Sequence, residues 1–142
     1  YQIDLDKSWS KNIGASSIFK LDNNIANRYG WCQKENRIEC IKIDTFVEQN
    51  NIDKIDLVWM DIQGSELYAL QGMEKSLKNI RGIITEAGIN PYYIGQSTMP
   101  YINDFLVKHD FMLVEVIRGF GEGEITFECD MIYVNKHFLD KN

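Results

Sequence analysis

The stretch Ile55-Asp56-Leu57-Val58-Trp59-Met60-Asp61-Ile62-Gln63-Gly64-Ser65-Glu66-Leu67 constrains the chain more than any other. It opens on a short apolar run, which predicts a strand buried on both faces with Trp59 in the core. Asp61 closes that strand, and Gly64 and Ser65 let the chain turn. A helical pattern starts at once: Leu67, Leu70, Met73 and Leu77 recur at spacings that share one helix face. Ser65 is placed to cap the first-turn amides, and Glu66 sits where the helix dipole favours negative charge. A strand, a tight turn and a helix, with an acid at the strand's carboxyl end, form the unit of open parallel sheets. Ligands of such sheets sit beyond the carboxyl ends of the strands, and any chemistry is expected there.

The other elements arrange themselves around this unit. Tyr1–Leu5 and Arg37–Ile43 alternate in polarity, and both are expected to be strands. Ser8–Ser17 reads as a loop, and Asp22–Tyr29, with Asn23, Asn24 and Asn27 and little periodicity, as irregular. Asp44 or Thr45 caps a short helix, Thr45 with Glu48 at capping-box spacing, and Asn50-Asn51 ends it. Gly82–Glu86 is the next buried strand and again ends in an acid. Glu86–Ser97 is a long connection rich in turn formers and aromatics, of the kind that carries function at this edge of a sheet. Thr98 begins a helix with Pro100 in its first turn and Ile102, Phe105 and Leu106 on its buried side. Phe111–Ile117 and Phe127–Val134 flank a glycine-rich turn, Arg118–Glu124, and predict an antiparallel hairpin at the sheet's edge. The expected fold is one α/β domain over residues 1–142, with a mainly parallel sheet and helices on its faces.

Successive strand–helix–strand units usually neighbour one another, so Asp61 and Glu86 are expected to flank one crevice. Two such carboxylates can orient or deprotonate a hydroxyl; the structural alternative has Asp61 capping the turn and Glu86 pairing with a Lys or Arg. Asp61, Glu66 and Glu86 could instead hold Mg²⁺ or Ca²⁺, which take oxygen ligands, but a metal is not favoured. His109 at a helix end and His137 in the tail support no transition-metal site. Tyr92, Tyr93 and Gln96 offer aromatic faces and an amide to a sugar or small polar acceptor, or pack over the sheet edge. Gly119-Phe120-Gly121-Glu122-Gly123 fails as a phosphate loop, because strand-like Ile125–Glu128 follows where a helix start is needed. The formal net charge of −6 argues against nucleic-acid or anionic-membrane binding. No apolar run approaches the roughly 20 residues of a membrane span, and no signal-peptide pattern opens the chain. Cys32, Cys40 and Cys129 are widely spaced and odd in number, which suits reduced thiols in a cytoplasmic setting.

Ile55-Asp56-Leu57, Met60-Asp61-Ile62-Gln63-Gly64-Ser65-Glu66-Leu67 and Leu70-Gln71-Gly72 resemble, in that order, the hallmark segment of the FkbM-type methyltransferases. The likeness runs on through Ile83-Ile84-Thr85-Glu86, Tyr93-Ile94-Gly95-Gln96, Phe105-Leu106, Phe111 and Asp130-Met131-Ile132-Tyr133-Val134-Asn135. The resemblance implies a Rossmann-like, S-adenosylmethionine-dependent enzyme that methylates a hydroxyl on a sugar or other small molecule. It implies catalytic roles for Asp61 and Glu86. It sets Asp61, Gln63 and Gly64 against the donor, whose positive sulfur a negative site suits, and Glu66, Tyr92, Tyr93 and Gln96 on the acceptor side. The strand, glycine-rich turn and second-strand acid that hold the donor in that class have no counterpart before Ile55. With no Met before Tyr1, the chain reads as the carboxyl-terminal part of such a domain. Its apolar sheet edge must then be covered by the Tyr1–Leu5 and Arg37–Ile43 strands or by another chain. Two rival readings are a non-catalytic half-domain that binds a partner, a ligand or a second copy, and a metal-dependent enzyme built on Asp61, Glu66 and Glu86.

Overall fold

The computed structural model describes residues 1–119, 121–122 and 125–139. In chain order its elements are β1 (Gln2–Ile3), α1 (Asn23–Tyr29), β2 (Gln33–Lys34), α2 (Ile43–Gln49), β3 (Ile55–Met60), α3 (Glu66–Gly72), β4 (Ile80–Gly88), α4 (Met99–Lys108), β5 (Phe111–Arg118), β6 (Gly121–Glu122), β7 (Ile125–Thr126) and β8 (Glu128–Asn135). The main sheet has the order β3-β4-β8-β5. It is not mainly parallel: β3 and β4 run parallel, but β8 runs antiparallel to both of its neighbours. The β5–β8 hairpin forms, with Phe111 opposite Asn135, yet it places β8 inside the sheet and leaves only β5 at the edge. Of the glycine-rich turn between them, Phe120, Gly123 and Glu124 lie outside the described residues, and β6 pairs with β7.

Strand alternation decides which face is covered. Ile83, Thr85 and Ala87 of β4 stand opposite Tyr133, Met131 and Cys129 of β8, and all six are buried. On this face α3 and α4 bring Leu70, Met73, Ile102 and Leu106 into one core. Each such aliphatic side chain contributes about 1.5–3 kcal/mol by leaving water. The expectation that β3 is buried on both faces is corrected here. Met60 is buried on the helix side, but Leu57 and Trp59 point the other way and are 53% and 74% exposed. Trp59 is not a core residue.

Three further expectations change for local reasons. Tyr1–Leu5 pairs only at Gln2–Ile3, which joins Gln33–Lys34 in a separate antiparallel ribbon. Arg37–Ile43 is not a strand: residues 35–42 are exposed and outside any sheet, and helix α2 already begins at Ile43. Alternation alone makes no strand without a neighbour to supply the ladder. Asp22–Tyr29, expected to be irregular, is the site of α1. The Asp22 carboxylate accepts from the Asn24 amide at 2.8 Å, and Gly30, at φ 63°, closes the helix.

Two caps also move. Asp44 does not cap its own helix; its carboxylate reaches across to accept from the Lys75 amide (3.0 Å), the Ser76 amide (2.9 Å) and the Ser76 hydroxyl (2.6 Å). Helix α3 stops at Gly72, so Leu77 enters the core from the 3-10 turn Leu77–Asn79. Below that turn the fully buried Asn135 donates to the carbonyls of Leu77 (3.1 Å) and Ile80 (2.9 Å). Asn135→Ala strips both carbonyls of their donor in a dry site and is expected to cost about 2 kcal/mol, read from urea midpoints at unchanged slope.

A second cluster, in which Ile3, Ala15 and Leu21 meet Tyr92, Tyr93 and Phe127, fastens the amino-terminal segment to the loop after β4. No helix among the described residues is long and apolar enough to cross a membrane. Cys32, Cys40 and Cys129 are free thiols, the first two exposed and the third buried.

Candidate functional site

The parallel register, with Met60 beside Thr85, brings Asp61 next to Glu86 at the carboxyl ends of β3 and β4. Gln63 joins them. Its Nε2 donates to Asp61 Oδ1 at 2.8 Å and reaches Glu86 Oε2 at 3.4 Å. Its Oε1 accepts from the Tyr93 hydroxyl at 3.0 Å, and that hydroxyl also lies 2.9 Å from the Ala15 carbonyl. A phenol has one hydrogen to share between these acceptors, so Tyr93 fixes the amide's oxygen inward and turns its NH₂ toward the acids. Ser17 Oγ donates to the Gln63 carbonyl at 2.6 Å and ties the same turn to the amino-terminal segment.

The turn itself is a left-handed pair, Gln63 at φ 52° followed by Gly64 at φ 92°. A non-glycine residue in this region is held there by its surroundings. Glu66 is one of those restraints. It is 1% exposed, and its Oε1 accepts from the amides of Ile62 (3.0 Å) and Gly64 (3.2 Å). Burial pushes its carboxyl upward even though both amides pull the other way. Ser65, expected to cap the helix, instead donates its hydroxyl to the Ile62 carbonyl at 2.6 Å. The structure therefore places Glu66 beneath the turn, with its carboxylate on the turn's own backbone amides.

Tyr92, Tyr93 and Gln96, also expected at the acceptor, face inward too. The tyrosines are 9% and 3% exposed. Gln96 Oε1 accepts from the amides of Tyr92 (2.9 Å) and Tyr93 (3.3 Å), and its stem crosses two glycines. A Cβ on Gly64 would stand 2.9 Å from Gln96 Cγ, and one on Gly88 would stand 2.5 Å from Gln96 Nε2. These side chains lock the loop after β4 against the turn after β3.

Across the sheet, Asp130 stands opposite Glu86, and Glu128 lies opposite Gly88 on the same face. Burial, then the charges of Glu128, Asp61, Glu66 and Asp130, push the Glu86 carboxyl up to about 8. Glu128 rises as well, through burial first and then Asp61 and its other acidic neighbours. Burial, with Glu86 close by, drives the Tyr93 phenol upward and keeps it a neutral donor. Sequence reasoning missed Glu128, although its spacing of two from Asp130 in a strand already put both acids on one face.

An open cleft of about 1260 Å³ lies beside the turn. Asp61, Ile62, Gln63 and Ser65 form one wall; Ser16, Ser17, Asn36 and Arg37 belong to the rest of its lining. Asp61 and Gln63 reach the cleft, whereas Glu86 sits behind the Gln63 amide, half-buried on the sheet face that carries Trp59. Among the described residues, no group of three or more His, Cys, Asp or Glu side chains is placed to hold a metal ion. Asp61, Glu66 and Glu86 do not converge as a ligand set, since the Glu66 carboxylate is turned onto the backbone amides.

Asp61, just past β3, and Glu86, near the end of β4, lie beside a cleft and a turn braced from beneath, at the end of the parallel pair where ligands of open α/β sheets sit. The chain belongs to the FkbM methyltransferase family: the family model for the methyltransferase FkbM domain matches residues 3–113. That range takes in the amino-terminal segment, which the motif resemblance left out, and stops before Asp130–Asn135. The chain is also similar to the 2-O-methyltransferase NoeI of Sinorhizobium fredii (strain NBRC 101917 / NGR234), at 28% identity over 118 residues, covering 82% of this chain and 48% of that protein. It thus spans about half the length of the curated relative it matches. No solved structure matches it.

Proposed function

We propose that this chain is the acceptor-side part of a Rossmann-like, S-adenosylmethionine-dependent O-methyltransferase domain, acting on a hydroxyl of a sugar or other small molecule. The observation that carries the reading is the Asp61–Gln63–Glu86 bridge at the cleft, with one amide holding two carboxylates whose surroundings set them apart. Family membership and the likeness to a 2-O-methyltransferase support it. The donor, when bound, supplies an electrophilic methyl group on a positively charged sulfur. The residues present suit that group's sulfonium end, because the cleft wall offers the Asp61 carboxylate. They do not supply the glycine-rich turn for its nucleotide end, and that part belongs to polypeptide outside this sequence.

Asp61 then has two tasks. Its carboxylate faces the positive sulfur, and it accepts the hydrogen bond, then the proton, of the acceptor hydroxyl as the methyl group is transferred. Glu86, pushed up to about 8, stays neutral near neutral pH. Gln63 keeps Asp61 in one rotamer, with Tyr93 and Ser17 fixing Gln63 in turn. Asn36 and Arg37, exposed in the cleft lining, bring polar groups that suit a hydroxylated acceptor.

Calorimetric titration with S-adenosylhomocysteine tests the reading on this chain and on the longer polypeptide of its gene. Saturable heat with the longer form, and little with this chain alone, is the expected result. Asp61→Asn in the longer form should then lower kcat/KM about 100-fold or more with donor affinity altered far less. Absence of heat in both forms would leave the non-catalytic binding module as the surviving alternative.

A further inference from the structure

The part of the cleft lining formed by the amino-terminal segment is polar in composition and apolar in what it shows. Ser17 Oγ is spent on the Gln63 carbonyl, and Ser16 Oγ donates to the Ile13 carbonyl at 2.8 Å and accepts from the Ile3 amide at 3.1 Å. Asn12 caps the same turn by accepting from the Gly14 amide at 3.1 Å. With these groups turned onto the backbone, Ile13 and Ile18, 57% and 50% exposed, are what this wall offers a ligand. The stretch 35–38 repeats the pattern. There the Asn36 amide nitrogen donates to the Gln2 side chain, and Ile38 stands 70% exposed two residues on. Ile62, 38% exposed, carries the apolar lining up to Asp61 itself. Exposed isoleucines scattered singly need no explanation, but four lining one concavity make a patch of the kind that takes a ligand. Hydrogen bonds pin both stretches to Gln2 and Ile3, so the patch is preformed and less ordering cost opposes binding there.

We infer that the acceptor carries an apolar substituent, alkyl or aryl, beside its hydroxylated part, and that Ile13, Ile18, Ile38 and Ile62 form the subsite for it. The inference rests on the proposed methyl-transfer reading in giving the reacting hydroxyl to Asp61, and it narrows the acceptor from any small hydroxylated molecule to an amphipathic one. A plain sugar presents hydroxyls over most of its surface, and each one laid against an isoleucine gives up its water without gaining a partner. An alkyl or aryl group in the same place removes apolar surface of both partners from water. The remaining polar groups are set apart from this patch in kind. Gln63 holds one oxygen of Asp61; the second, the Asn36 amide oxygen and the exposed Arg37 guanidinium remain for the hydroxylated part. At about 1260 Å³ the cleft exceeds the usual range of about 300–1,000 Å³ for small-ligand sites, which leaves room for a substituent beside a sugar ring and the donor's methyl end.

Calorimetric titration of this chain without any donor tests the subsite, using methyl, hexyl and phenyl β-glucosides, which share a ring and differ in the substituent. The hexyl or the phenyl glucoside should bind at least about tenfold more tightly than the methyl glucoside, and whichever does so says whether the substituent is a chain or an aromatic ring. Ile18→Ser combined with Ile38→Ser should abolish that advantage. It should leave the melting temperature unchanged, since both side chains stand at least half in solvent. Trp59→Ser, at an exposed indole outside the cleft lining, should leave the advantage intact. Equal affinity for the three glucosides, no binding of any of them, or an advantage that survives the isoleucine pair or falls with Trp59→Ser would each overturn the inference. Subsite binding with no methyl transfer by the longer polypeptide would instead sink the enzymatic reading and leave the subsite standing.

Discussion

Glu86→Gln raises the melting temperature by roughly 5–15 °C at about pH 9 and leaves it nearly unchanged at about pH 4.5. Folded Glu86 keeps its proton to about 8, while the unfolded chain releases it near the ordinary 4.5. Between those limits the folded state binds more protons than the unfolded one, so stability falls as pH rises through that window and is level above it. Each pH unit costs about 1.4 kcal/mol at most, so the whole window is worth no more than about 5 kcal/mol. Glutamine has the shape of the protonated acid and takes no charge, and so it escapes the penalty. Glu128 and Glu66 are also pushed upward, so the variant's curve against pH becomes shallower without going flat. Differential scanning calorimetry across this range measures the effect. A variant no more stable than the parent at about pH 9 would show that water or a counter-ion already relieves the cluster. Under the proposed chemistry the same variant, in the longer polypeptide, keeps its activity to within about threefold at neutral pH, because Glu86 is uncharged there in either form. Asp61→Asn, which removes the charge facing the reacting atoms, should not be tolerated in this way.

The part of the molecule legible in the sequence was the part specified by neighbours along the chain. The run from Ile55 to Leu67 announced its strand, its turn and its helix, and Asp61 and Glu86 announced their meeting, because strand, crossover helix and strand leave few topologies, although the second strand runs past Glu86 to Gly88. Features set by distant partners were not legible in the same way. Trp59 has the composition of a core residue and stands in solvent, because composition says that a strand is apolar and is silent on whether both faces are covered. Arg37–Ile43 alternates like a strand and pairs with nothing in the sheets. Asp44 looked like a cap for its own helix, but satisfies amides more than thirty residues away, at Lys75 and Ser76. At the site, Tyr92, Tyr93, Gln96 and Glu66 were readable as important positions but not as inward-facing ones. Each uses its polar atoms, or its main-chain amides, on the turn and loop backbone, and no periodicity marks which way a loop residue points. The α1 segment carried a legible signal that periodicity overrode, with Asp22 before it and Gly30 after it.

Gly64→Ala is the substitution expected to do most harm, about 3–5 kcal/mol, and it separates two causes that the neighbouring glycine does not combine. At φ 92° an L side chain is strained whatever space it has, and here its Cβ would also stand 2.9 Å from Gln96 Cγ. Gly88 lacks the first problem, since its φ is not in the left-handed region. Its clash, at 2.5 Å, is with the terminal Nε2 of Gln96, which can swing away if Gln96 gives up the Tyr92 and Tyr93 amides. Gly88→Ala should therefore cost only about 1–2 kcal/mol, the worth of those bonds. A cycle with Gln96→Ala tells the two apart. In the Gln96→Ala background Gly88→Ala becomes nearly neutral, because nothing is left to displace. Gly64→Ala recovers its packing cost there but keeps about 1–3 kcal/mol of backbone strain. Urea denaturation of the variants at unchanged slope supplies the numbers. If Gln96→Ala rescues Gly64→Ala completely, the turn after β3 is not strained and Asp61 is held by packing alone. If it rescues neither glycine, Gln96 is not the brace between the two carboxyl-end turns, and the inward-facing residues must hold Gln63 over its two acids by some other route.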